Sequence, residues 1–277
     1  MAMWQSGYVE VNGLKWHYRR TGANSGKPAL VMAHGFSDDG ACWTTLAEEL
    51  EAEFDVVLPD ARGHGKSDAP EEGYGLLDLA NDLAAVLTAL ELRKPALLGH
   101  SMGGATSFVL AGTRPELPGA ILIEDAGALN LGSTQPTEEQ NRRWEGMRRW
   151  VEGVKRQTRE ELIAVQKRQT PHWSDEEVGL WADSKHRLSL RVLNRADAAP
   201  VNWSALLPNI ACPALLITAD PALGAMVTDE GADDLKRLVP HLERAHIPGA
   251  GHCIRRDRPE EFLDVVRGFL KKTVRPE

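Results

Sequence analysis

The sequence predicts an α/β fold, a mainly parallel eight-stranded sheet flanked by helices with an inserted helical cap, and three observations predict it. Through the first 125 residues, short apolar runs alternate with amphipathic helical patterns. The runs are unbroken, as in strands buried on both faces, rather than alternating as in half-exposed ones. At about Gly127 the strand rhythm stops, and it resumes only after Ala205, with nothing but helix-start signals between.

In chain order, residues 8–11 and 14–18 alternate apolar with polar side chains, which suits a strand pair with one covered face. Apolar runs at 29–33, 56–58, 96–98 and 121–123 supply four central strands, and the strand rhythm resumes at 213–218 and 244–247 to supply the last two. Between them, Leu76, Leu79, Leu83, Val86, Leu87 and Leu90 recur at three- and four-residue steps, the stripe of an amphipathic helix, and an amphipathic pattern over 259–270 closes the chain. Within 127–205, three capping boxes mark helix starts: Thr137 with Gln140, Thr158 with Glu161, and Ser174 with Glu177. The expected organisation is therefore a core of residues 1–126 and 206–277, interrupted by a helical cap of residues 127–205.

Composition excludes several functions. The 277 residues carry 40 acidic against 32 Lys and Arg side chains, a formal charge of -8 with the signs interleaved, which argues against a nucleic-acid partner. No apolar run reaches the length of a membrane span, and residues 1–10 lack a basic region followed by an apolar stretch, so a cytoplasmic protein without membrane association is expected. Cys42, Cys212 and Cys253 show neither paired nor metal-ligand spacing, so reduced thiols and no metal are expected. Five of the eight Trp (Trp144, Trp150, Trp173, Trp181 and Trp203) fall in the cap. Trp144, Met147, Trp150, Val151 and Val154 form a helical stripe that would pack the cap on the core, while Trp144, Trp150 and Trp181 are candidates to line an apolar substrate cavity.

The chemistry concentrates in Gly99-His100-Ser101-Met102-Gly103, which follows the run 96–98 and precedes a helical pattern. A strand that turns sharply into a helix strains the backbone at the Ser and leaves no room for flanking side chains, hence the glycines. The turn presents the Ser101 hydroxyl above the sheet, and the unpaired Met102 amide at the helix start favours a developing oxyanion. His34-Gly35-Phe36, directly after the run 29–33, can aim the Phe36 amide at the same point. His252, in Gly249-Ala250-Gly251-His252 after the last strand, is the candidate base. Asp60, Arg62 and His64, in the turn after the fourth strand, read as loop fasteners.

Taken together, HGF, PDARGHGKS, GHSMGG and GAGH in this order resemble the α/β-hydrolase superfamily, specifically its lid-bearing serine hydrolases, over nearly the whole chain. The resemblance implies Ser101 as nucleophile, His252 as general base and acid, and the Phe36 and Met102 amides as oxyanion hole, without a cofactor. Many relatives carry the acid after the seventh strand, where Asp220 stands two residues early. Others carry it after the sixth, 24 residues beyond the nucleophile, which lands on Asp125. Asp125 is the preferred acid and Asp220 the alternative. The implied activity is hydrolysis of a small to medium, mostly apolar carboxylic ester or lactone through an acyl-enzyme. Cleavage of an amide or carbon-carbon bond, or a receptor-like binding role with vestigial turnover, are the alternatives.

Overall fold

Apolar runs of five residues, buried along their length, make the centre of the sheet. A computed structural model of the chain describes residues 4–23, 25–126, 138–194 and 199–274. Its strands are β1 (Gln5–Val11), β2 (Leu14–Arg20), β3 (Ala29–Ala33), β4 (Asp55–Pro59), β5 (Ala96–His100), β6 (Ala120–Glu124), β7 (Ala214–Thr218) and β8 (Glu243–His246). They form one eight-stranded sheet in the order β1-β2-β4-β3-β5-β6-β7-β8. β1 and β2 pair antiparallel with each other, β2 pairs antiparallel with β4, and all other pairs are parallel.

The period of two in each strand sorts side chains between two cores. On one face Val31, Val57, Leu97, Ile123 and Leu216 pack against α2 (Leu76–Ala89) and α3 (Met102–Thr113), with α8 (Asp229–Leu238) alongside. On the other face Leu30, Met32, Leu98, Leu122 and Ile217 meet α1 (Thr44–Leu50) and α10 (Pro259–Thr273), with Ile254 of the short α9 (Ile254–Asp257) in the same cluster. Helix α10 shows how its sequence makes this possible: Pro259 occupies the first turn, Glu260 and Glu261 sit at the positive end and Lys271 and Lys272 at the negative end. Its stripe of Phe262, Val266, Phe269 and Leu270 is buried, each contributing roughly 1.5–3 kcal/mol of hydrophobic stabilisation.

Between β6 and β7 the described chain is helical: α4 (Glu138–Val154), α5 (Arg159–Gln169), α6 (Asp175–Arg187) and the short α7 (Trp203–Leu206). Thr158 and Glu161 form a reciprocal capping box at the start of α5. At α6 only half of the box forms: Ser174 accepts from the Glu177 amide, but the Glu177 carboxylate turns inward to Arg256. Thr137 of the third expected box lies outside the described residues. The α4 stripe divides, with Val151 and Val154 buried but Met147 and Trp150 more than a third exposed. Trp203 and Leu206 join the core beside α3 rather than the other helices of the segment. Among the described residues no helix is long and apolar enough to cross a membrane.

Candidate active site

The carboxyl ends of the parallel strands place the residues of interest. After β5 the chain reverses at Ser101, whose φ of 52° is rare for a residue with a side chain, and enters α3 at Met102. The reversal packs three backbones so closely that a Cβ at Gly103 would lie 2.1 Å from the Ala33 carbonyl oxygen, and one at Gly99 would lie 2.4 Å from that of Gly103. Only glycine fits either position. The Ser101 amide donates to the Glu124 carbonyl (3.0 Å), tying the turn to the end of β6, and the first amides of α3 have no intrahelical acceptor.

After β3, the turn at His34-Gly35-Phe36 is held from its own side chains. His34 Nδ1 lies 2.8 Å from the Gly35 carbonyl, and its Nε2 accepts from the Ala61 amide (3.0 Å). The His64 ring nitrogens lie 2.8 Å from the Arg62 carbonyl and 2.5 Å from that of Phe36, so His64 fixes the peptide that follows Phe36. Burial, reinforced by His34, pushes the His64 pKa down to about 4. Asp60 accepts from the Gly40 and Lys66 amides and pairs with His17, which fastens the loop after β4.

Asp125 and His252 meet. Asp125 follows β6 at a φ of 43°, its side chain fully buried, with Oδ2 2.7 Å from His252 Nδ1. The same carboxylate accepts from the amides of Met226 (2.8 Å) and Val227 (3.0 Å). A carboxylate partner puts the His252 proton on Nδ1 and leaves Nε2 with a lone pair. Asp220 is engaged elsewhere, bonded to the Gly249 amide (2.7 Å) and to His246 Nε2 (3.1 Å), so it braces the loop before His252. Ser101 is joined to the pair through its neighbour. His100 Nε2 donates to the His252 carbonyl (2.9 Å), and the two rings stand 4.6 Å apart. Burial first, then His252 and Arg255, hold the His100 pKa well below its usual value.

Sequence reasoning did not find the buried charges under these loops. Glu124, adjacent to Asp125, accepts from the Arg255 amide and guanidinium, both at 3.0 Å. Asp38, two residues after Phe36, meets Arg255 (3.1 Å), Arg256 (3.0 Å) and Lys185 of α6 (2.8 Å). Arg256 also pairs with Glu177 of α6 (2.8 Å), whose other oxygen accepts from Thr45. Burial opposes ionisation of Asp38, but Arg256, Lys185 and Arg255 outweigh it and hold its carboxyl well below the usual range. Three acids and three bases thus neutralise one another beneath the turns after β3, β6 and β8. The signal was present as Asp38-Asp39 and Arg255-Arg256-Asp257, but in a chain that is 26% charged such pairs read as solvated surface.

A cavity of about 540 Å³ opens beside His252, lined by Trp150, Trp173 and Trp181 among others. Trp144 instead packs edge-on against Phe36 (5.3 Å between centroids). Trp173 Nε1 donates to Asp257 (2.7 Å), and Asp257 in turn accepts from the Gly251 amide (2.8 Å). Cys42, Cys212 and Cys253 are free thiols, and burial pushes that of Cys253, next to His252, up to about 11. Among the described residues no group of three or more His, Cys, Asp or Glu is arranged to hold a metal ion.

Residues 30–265 match the model of the alpha/beta hydrolase family. The chain belongs to that family. N-formylmaleamate deformylase of Pseudomonas putida is 29% identical to this α/β hydrolase over 269 residues, 95% of this chain and 96% of that protein. The solved structure of E-2-(acetamidomethylene)succinate hydrolase superposes with a TM-score of 0.80 at 21% identity, covering 97% of this chain and 100% of the other, a likeness of fold. Est816, an N-acyl homoserine lactone degrading enzyme, superposes with a TM-score of 0.72 at 27% identity, covering 95% and 99%.

Proposed function

We propose that this α/β hydrolase is a serine hydrolase that cleaves a small to medium, mostly apolar carboxylic ester or lactone through an acyl-enzyme. The observation that carries the reading is the buried Asp125 carboxylate on His252 Nδ1, in a loop held by the residue preceding Ser101. In the proposed cycle His252 Nε2 takes the Ser101 proton as Oγ attacks the carbonyl carbon, and the Phe36 and Met102 amides receive the oxyanion. The carbon-oxygen bond to the leaving group breaks as Nε2 returns the proton to it. Water, deprotonated by the same nitrogen, then forms the acid and restores Ser101. Asp125 supports the imidazolium, and residues 127–205 serve as the cap, with Trp150 and Trp181 toward the substrate and Trp144 set against the oxyanion turn.

A second reading, hydrolysis of an amide, draws support from the deformylase, which this chain matches end to end. The same residues serve both, since only the leaving atom differs. The test is labelling with a fluorophosphonate followed by turnover on matched ester, lactone and anilide substrates. Ser101→Ala is expected to abolish labelling and to lower kcat by roughly 10⁴-fold or more. Labelling that survives this substitution overturns the assignment, and an anilide hydrolysed faster than the ester favours the second reading.

A further inference from the structure

The residues lining the cavity beside His252 point to what it holds. Part of the lining is aromatic. Trp173 is fixed at its edge by Asp257 and carries the Arg256 guanidinium 5.0 Å from its ring, while Trp181 carries Lys185 Nζ at 4.8 Å. Both indoles are buried and immobilised, so a flat ring laid against them loses little further freedom to side-chain ordering. Trp150 and Leu223, 39% and 59% exposed, stand in the lining as an apolar mouth. Three uncharged polar residues, Gln157, Gln166 and Gln169, share the lining. The single charged side chain among the described lining residues is the Asp257 carboxylate, which repels a second one.

The cavity's position relative to the reacting groups is equally informative. It is lined by Gly251, His252 and Cys253, and not by Ser101, Phe36 or Met102. It therefore adjoins the imidazole, which hands its proton to the departing group, rather than the nucleophile or the amides assigned to the acyl oxygen. Resting on the serine hydrolase reading above, we infer that this cavity is a leaving-group site for an uncharged aromatic alcohol or amine, read by Trp150, Trp173 and Trp181 and by the three glutamines. This separates the chain from its deformylase relative, whose named substrate, N-formylmaleamate, is a carboxylate.

A pair of isomeric esters tests the inference, because reversing the ester moves the ring without changing composition. In 2-naphthylmethyl acetate the ring leaves, whereas in methyl 2-naphthylacetate it stays on the acyl group, and the two leaving alcohols are of similar acidity. The expected kcat/KM is about tenfold or more in favour of 2-naphthylmethyl acetate, in keeping with burial of one aromatic group. Trp150→Ala is expected to bring the ratio toward one. A 6-carboxylate on the naphthyl ring is expected to lower kcat/KM about tenfold, and Gln169→Lys to recover part of that loss. A ratio of one or below, or preference for the carboxylated ester, overturns the inference while leaving the role of Ser101 standing. Conversely, binding of 2-naphthylmethyl acetate to the Ser101→Ala protein, followed by tryptophan fluorescence, reports on the cavity even where turnover proves independent of Ser101. Saturable quenching that weakens about tenfold in the added Trp150→Ala background supports the site, and its absence overturns it.

Discussion

Replacing Asp38 by Asn removes one charge from a group of six that sum to zero. Asp38 lies 2.8 Å from Lys185, 3.0 Å from Arg256 and 3.1 Å from Arg255, all of them essentially out of solvent. The variant keeps the shape but leaves three cations facing the two carboxylates of Glu124 and Glu177. Breaking a buried pair from one side costs about 3–5 kcal/mol, because the stranded charge is neither solvated nor paired. In a chain of this size that corresponds to a fall in Tm on the order of 10 °C. Urea unfolding followed by circular dichroism at pH 7 measures the loss directly. Charge rather than shape is isolated by Asp38→Asn combined with Lys185→Met, which restores neutrality and is expected to recover about half of the stability. The pH dependence has a definite sign. Asp38 has a folded pKa below its unfolded one, so its contribution is whole above the ordinary carboxylate range and disappears as pH falls through the lower, folded value. Asp38→Asn should therefore flatten the acid limb of the stability curve. A loss under about 1 kcal/mol, or a double variant as unstable as the single one, would refute the assignment of this cluster as a charge-balanced clamp.

Three further outcomes follow from the same geometry. Asp125→Asn should lower kcat by about 10³–10⁴-fold with little change in fold, because His252 loses the partner that fixes its tautomer, whereas Asp220→Asn should stay within about tenfold; steady-state kinetics on one ester separates them. Gly103→Ala should fail to yield folded protein or lose several kcal/mol, since its Cβ meets a backbone oxygen at 2.1 Å; a stable variant with unchanged urea midpoint contradicts the packing described. His64, held at about 4 by burial, keeps its full contribution to stability above about pH 6.5 and loses it as pH falls toward 4, at most about 3 kcal/mol, so His64→Asn should show a smaller drop than the parent in urea titrations at pH 7 and 4.5.

Most of the sheet was legible because central parallel strands are written as contiguous apolar runs, and 96–98 and 121–123 fall inside β5 and β6. The Ser101 turn was legible for a related reason: glycines at 99 and 103 record a close approach of backbones that no other residue allows. Spacing narrowed the acid to two residues and preferred Asp125, but the choice depends on which loop reaches the imidazole, and that is a matter of tertiary structure. The buried charges were illegible. Glu124, Arg255 and Lys185 look like surface residues until three separate loops and α6 are brought together, and pairing across 131 residues leaves no local pattern. The role of Trp144 also depended on tertiary context, because a helical stripe gives the face but not the partner, and Phe36 rather than the cavity is what it meets.

The position of the proposed acid explains an otherwise odd feature of the loop after β7. If the acid stood in that loop, the loop would have to supply a carboxylate, yet the stretch between β7 and α8 offers Asp125 two backbone amides, from Met226 and Val227. A carboxylate with no exposed surface needs such donors, because burial would otherwise leave its acceptor lone pairs unsatisfied. Each amide satisfies a lone pair that His252 does not use: Met226 donates to Oδ2, which also faces His252, and Val227 donates to Oδ1. Asp220 instead holds the Gly249 amide and His246, and so braces the loop that carries His252. β6 supplies the charge and the β7 loop supplies its solvation, so shortening the loop at Met226 should impair His252 through Asp125 without removing any proposed catalytic side chain.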